Sequence, residues 1–150
     1  MWDYPRPPLA VASTERVRVV HRGSVLADTT SAIRVLEESH APTYYLPRAD
    51  VDMDAFIPRG RRTVCEWKGV ATHFAIEVAG HVVEDAAWTY EIPTARYRSI
   101  ANHIAIYAQR VDECWVDDER VRAVEGDFYG GWITSRVVGP FKGGPNTSMW

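Results

Sequence analysis

The sequence predicts a mainly β chain with a few short helices, an α+β domain of 150 residues built from two related halves. Three observations carry this expectation. Runs of β-branched apolar residues recur and turn at glycines, as in Val17-Arg18-Val19-Val20-His21-Arg22-Gly23-Ser24-Val25, which is a hairpin pattern. The helical stretches are short, and Pro42, Pro47 and Pro93 end the runs before them. The same order of pieces occurs twice along the chain. The length suits one domain with a core of its own.

The elements follow in order. Residues 1–15 read as an extended Pro-rich arm lying on the single domain of residues 16–150. Residues 17–28 form a hairpin about Arg22-Gly23. Residues 30–38 carry a short apolar face of Ile33, Val35 and Leu36 behind Asp28, Thr29 and Thr30, and predict a capped helix. Thr43-Tyr44-Tyr45-Leu46 is a strand stopped by Pro47, and residues 49–61 are a surface connection with one helical turn. Residues 63–67 predict a strand and Lys68-Gly69 a turn. Residues 70–78 and 82–90 are strands joined across Ala79-Gly80. Residues 96–102 predict a short helix and 104–107 a strand. Cys114-Trp115-Val116 and residues 120–124 pair about Asp117-Asp118, and the Gly- and aromatic-rich tail holds one strand, 132–138.

The internal repeat rests on two alignments. Gly23-Ser24-Val25-Leu26-Ala27-Asp28 matches Gly80-His81-Val82-Val83-Glu84-Asp85. Tyr45-Leu46-Pro47-Arg48-Ala49-Asp50 matches Tyr107-Ala108-Gln109-Arg110-Val111-Asp112, with His40 or His103 just before each strand. Duplicated halves pack about a pseudo-twofold axis, and the groove between them is a natural place for a ligand.

A net charge of −3 leaves no basic footprint for nucleic acid. No apolar run is long enough to span a membrane, and the N-terminal residues lack a signal peptide's apolar stretch. Cys65 and Cys114 form no CxxC pair and have the wrong spacing for zinc, so they read as buried small hydrophobes in a cytoplasmic protein. Of 17 basic residues only Lys68 and Lys142 are lysine, in a chain whose Arg, Ala and Val richness suggests a GC-biased genome. Each follows an aromatic and precedes a glycine, as if a compact ammonium were wanted there.

Ser39-His40-Ala41-Pro42-Thr43-Tyr44-Tyr45-Leu46-Pro47, Cys65-Glu66-Trp67-Lys68-Gly69, Asp85-Ala86-Ala87-Trp88-Thr89-Tyr90, Phe128-Tyr129-Gly130-Gly131-Trp132 and Gly139-Pro140-Phe141-Lys142-Gly143 stand in one order. With them the chain resembles a bacterial family called domain of unknown function 427, from about residue 16 to residue 150. The resemblance implies a compact, tent-like β fold and no settled activity, although a nucleotidyltransferase-type label is sometimes attached to the family. This chain has Glu66 where the family usually has proline and Asn102 where it usually has glycine.

The best candidate site is the aromatic set in these segments. Tyr44, Tyr45, Trp67, Trp88, Tyr90, Tyr129 and Trp132 offer flat area and polar handles, and Lys68 and Lys142 add charge for a phosphate or carboxylate. The expected function is binding of a small planar or anionic metabolite, nucleotide-like ones included, in an aromatic- and lysine-lined cleft. No cofactor is named. One alternative is an enzyme, with His40 or His103 as acid–base group or, after Gly23-Ser24, Asp50 and Asp52 of the Asp50-Val51-Asp52-Met53-Asp54 run as nucleotidyltransferase metal ligands. The other is a structural protein that forms homo-oligomers through exposed aromatics.

Overall fold

The computed structural model describes residues 4–5, 7–126 and 129–137. Its strands run β1 (Leu9–Ala12), β2 (Val17–His21), β3 (Ser24–Thr29), β4 (Ile33–Leu36), β5 (Thr43–Tyr45), β6 (Phe56–Cys65), β7 (Gly69–Val78), β8 (His81–Thr89), β9 (Ala105–Ile106), β10 (Glu113–Val116), β11 (Glu119–Arg120), β12 (Arg122–Ala123) and β13 (Trp132–Ile133). The helical content among the described residues is short 3₁₀ turns at Arg48–Asp50, Met53–Ala55, Ala95–Ile100 and Ala108–Arg110. The chain is therefore mostly strand, arranged as several antiparallel sheets. Their orders are β1-β4-β5, β11-β10-β2-β3, β12-β13 and β6-β7-β8-β9.

The two main hairpins turn on two residues, Arg22-Gly23 and Ala79-Gly80, with φ of 48° and 79° in the first and 52° and 79° in the second. Both central residues lie in the left-handed region, which matches the right-handed twist of the flanking strands. In β2 burial alternates strictly, with Val17, Val19 and His21 inward. Those valines join Leu26, Leu46, Phe56, Phe74, Ile76, Ile104, Ile106 and Trp132 in the larger core cluster.

Four local expectations are corrected. Residues 30–38 form no helix: Ile33–Leu36 is strand β4, paired with β1 on one side and β5 on the other. Ile33 and Val35 are β-branched, and two partner strands outweigh a weak local helical face. Residues 56–62 belong to β6 and are not a loop. Pro58 fits there because β6 is an edge strand, where a missing N–H costs no ladder bond. The run 120–124 is broken, since Arg120 ends β11 while Arg122 and Ala123 turn to pair with β13. In the tail, β13 covers only Trp132–Ile133, and Val138 lies outside the described residues.

Two bulges distort the large sheet on either side of β7. Pro58 pairs with Phe74 and Arg62 with Thr72, so Arg59, Gly60 and Arg61 stand opposite His73 alone. Phe74 pairs with Ala87 and Ile76 with Val83, so Glu84, Asp85 and Ala86 stand opposite Ala75 alone. The bulged segments reach over β7 to each other: Arg59 grips Glu84 with two bonds of 2.9 Å, and Arg61 pairs with Asp85. Asp85 has a φ of 51°, which a non-glycine residue rarely adopts.

Candidate functional site

Sheet register collects one set of side chains on a single face of β6-β7-β8-β9. Thr63 pairs with Ala71, and His73 lies two residues along β7 on that face. His73 pairs with Trp88, and Trp88 with Ala105. Cys65, Tyr90 and Tyr107 extend the face by the same two-residue step. Against it stands the wall from β4 and β5, with Glu37, His40 and Tyr45. The space between is a cavity of about 320 Å³, closed by Trp67 and Lys68 at one side and by Tyr129, Gly130 and Gly131 at another. Tyr45, Trp88, Tyr90, Tyr97 and Tyr107 belong to one buried cluster, and all of these but Tyr97 line the cavity.

Each closing segment is fixed by a specific contact. Thr94 holds the Trp67-Lys68-Gly69 turn, its hydroxyl donating to the Trp67 carbonyl at 2.6 Å and its N–H to the Lys68 carbonyl at 3.0 Å. Gly69 has a φ of 110°, closed to other residues without strain. Gly130 runs across the Trp88 ring and Gly131 across the Ala41 carbonyl, so close that a Cβ on either would sit 2.3 Å from its neighbour. Trp88 also tilts onto Tyr107, with ring centroids 4.5 Å apart, and its Nε1–H points to the Tyr45 hydroxyl at 3.4 Å.

Lys68 is 8 % exposed. Among the described residues its ammonium faces Glu37 Oε1 at 3.9 Å, an ion pair beyond hydrogen-bond length. Glu37 also lies 3.8 Å from His40 Nδ1, and the His40 ring meets Tyr129 edge-on at 5.2 Å. Burial pushes the Tyr45 and Tyr90 hydroxyls far above the ordinary phenol range, so both are neutral donors.

One hydrogen-bonded chain in the wall went unread in the sequence. Thr63 Oγ1 lies 2.8 Å from His73 Nε2, and His73 Nδ1 lies 2.8 Å from Asp85 Oδ1. The other Asp85 oxygen takes Arg61. The carboxylate accepts only, so Nδ1 carries the proton and Nε2 accepts from the Thr63 hydroxyl. Burial holds the imidazole below its ordinary value, with Asp85 opposing the shift. Thr63 and His73 both line the cavity. A usable sequence signal was the tight turn at Lys68-Gly69, which sets Thr63 diagonally beside His73.

Of the residues expected at a site, Tyr45, Trp67, Lys68, Trp88, Tyr90, Tyr129 and His40 line the cavity. Tyr44 and Trp132 do not: they stack at 5.1 Å in the larger core, where β5 alternation points Tyr44 away from Tyr45. His103 is also elsewhere, its Nδ1 donating to the Ala101 carbonyl at 3.0 Å. Lys142 lies outside the described residues. Among the described residues no His, Cys, Asp and Glu side chains gather as a metal site, and Asp50 accepts a bond from the Thr29 hydroxyl instead. Cys114 is buried and Cys65 half-buried, both as free thiols. Among the described residues the large exposed apolar side chains are aliphatic, such as Val64, Val70 and Ile92, and none is aromatic.

These features describe an antiparallel β protein with an aromatic-lined cavity that holds the Lys68–Glu37 ion pair. The chain belongs to the family described as domain of unknown function (DUF427), whose model matches residues 2–117. The Gly130-Gly131 segment and Lys142 lie beyond the matched residues. Asn102 has a φ of 58°, a conformation asparagine tolerates better than most residues. No curated protein matches the chain. Among the described residues no helix is long and apolar enough to cross a membrane.

Proposed function

We propose that the cavity binds a small planar metabolite bearing an anionic group, nucleotide-like molecules included. The observation that carries this reading is Lys68, a nearly buried ammonium in an aromatic cavity whose ion pair among the described residues is Glu37 at 3.9 Å. Removing an ammonium from water costs several kcal/mol unless close partners replace the lost bonds. A phosphate or carboxylate oxygen would supply them as charge-assisted hydrogen bonds. The Trp88, Tyr45 and Tyr107 rings offer flat apolar area beside it, and the volume suits a small metabolite.

A thermal-shift screen of nucleotides and aromatic carboxylates tests this. A ligand at a hundred times its Kd should stabilise the fold by about 2.7 kcal/mol. Lys68→Met should lose most of that gain while keeping the fold. A screen in which nothing raises the melting temperature defeats the reading, and equal binding by Lys68→Met removes Lys68 from it.

The two halves are read as relatives. Supporting this, Ser39-His40 and Asn102-His103 make the same turn: φ is 65° at Ser39 and 58° at Asn102, and each histidine Nδ1 reaches a carbonyl two residues back, at 2.9 and 3.0 Å. Each turn leads into a strand and then a 3₁₀ turn, Arg48–Asp50 or Ala108–Arg110.

A further inference from the structure

Binding alone makes no use of Thr63, His73 and Asp85. A four-stranded sheet would be cheaper to fold with apolar side chains at these places, because a desolvated imidazole must be fully hydrogen-bonded. The chain keeps His73 3 % exposed in mid-sheet, with both ring nitrogens bonded at 2.8 Å. It also holds Asp85 at a φ of 51° inside a bulge. Bulges that re-aim a side chain, and non-glycine residues held at positive φ, gather at functional sites. Strict alternation would put Asp85 on the face of Val83 and Ala87, away from His73. The bulge is what turns it back.

We propose that Thr63 is a nucleophile, His73 its general base and Asp85 the residue that positions His73, so that the cavity takes an acyl group from a small carboxylic ester and passes it to water. The inference rests on the cavity being a ligand site. Thr63 Oγ1 bonds to the ester carbonyl carbon as its proton moves to His73 Nε2. The carbon–oxygen bond to the leaving alcohol then breaks, and His73 returns the proton to that oxygen. Water next attacks the Thr63 ester, giving its proton to His73, which reprotonates Thr63 Oγ1 as the carboxylic acid leaves. Asp85 keeps Nδ1 protonated and Nε2 free to accept, and Arg61 fixes the second Asp85 oxygen. Lys68 lines the same cavity and supplies positive charge for the oxyanion.

The full chain is treated with p-nitrophenyl acetate and, separately, with an alkyl fluorophosphonate. Hydrolysis is followed, and the modified peptide is located by mass spectrometry. The expected result is a single adduct on residue 63 in the wild type and in Thr63→Ser, with none there in Thr63→Val. Asp85→Asn should slow hydrolysis by about 10²–10⁴-fold. It should also move the acid limb of the pH–rate profile to lower pH, since Asp85 raises the basicity of His73. Thermal melts establish that each variant is folded. If a variant does not fold, the site of the wild-type adduct decides. Labelling of Lys68 or surface residues but not Thr63, or hydrolysis unchanged in Thr63→Val, overturns the proposal. No adduct alongside a ligand that still stabilises the fold ends this inference and leaves the binding reading standing. No adduct and no stabilising ligand ends both.

Discussion

At Gly130 the chain passes so close to Trp88 that a Cβ would lie 2.3 Å from the indole Cη2 and 3.2 Å from the Tyr107 ring. Trp88 is buried and cannot swing aside. Gly130→Ala should therefore destabilise the protein by about 1–3 kcal/mol, the usual cost of forcing a methyl into a packed core. Gly131→Ala meets the Ala41 backbone and should cost at least as much. Urea denaturation checks both, and an unchanged midpoint would mean the loop does not sit on Trp88. The two thiols should also differ. Burial pushes Cys114 up to about 12, so almost none of it is thiolate near neutral pH. Iodoacetamide should modify half-buried Cys65 in the native protein and reach Cys114 only after unfolding. His73 ties residue chemistry to acid stability. Its folded value lies below the ordinary 6.5 because burial disfavours the charged ring. Its contribution is thus fully present above pH 6.5 and lost as pH falls through the lower folded value. The wild type should lose more stability than His73→Gln between about pH 8 and about pH 5. Equal losses would show that other groups set the acid limit.

The hairpins and bulges set the next scale. Ala79 occupies the first turn position between β7 and β8 at a φ of 52°, where an L-residue other than Asn, Asp or Gly is strained. Ala79→Asn should stabilise the protein by about 0.5–1 kcal/mol and leave the cavity alone. A thermal melt reads this, and a lower melting temperature would contradict the turn type. The bulges act differently. They cost ladder bonds, yet they bring Arg59 to Glu84 and Arg61 to Asp85 across an intervening strand. The Arg59 pair is solvent-exposed and contributes little by itself. Asp85 is the less exposed carboxylate, and it links the clasp to His73 beneath.

Across the whole molecule, the first strand closes the wall behind the cavity. β1 pairs with β4, and the buried Tyr97 hydroxyl donates to the Pro8 carbonyl at 2.6 Å. Removing residues 1–12 would bare the edge of β4 and strip that hydroxyl of its acceptor, at about 1–3 kcal/mol for the unsatisfied group alone. The truncated protein should melt at lower temperature and bind ligands of the cavity more weakly. A truncation with unchanged stability would show that the N-terminal strand is dispensable.

The mainly β class, both Gly hairpins, the family and most of the cavity's aromatic lining are legible in the amino-acid order alone. These follow from local rules: β-branched alternation, glycine at positive φ, and Trp88 and Tyr90 sharing a face because they are two residues apart. Lys68 was legible because lysine is rare in this chain. The rest depends on contacts between distant segments. Tyr44 and Tyr45 are adjacent, so alternation separates them, but nothing local says which one meets the cavity. Strand β4 read as helix because its partners, β1 and β5, are distant in sequence. Gly130 and Gly131 show their purpose only against Trp88 and Ala41. The pairing of His73 with Asp85 defeats simple alternation, because a bulge turns Asp85 through its sheet to the other face. Register and bulges are non-local, and they decided which polar side chains share the aromatic cavity around Lys68.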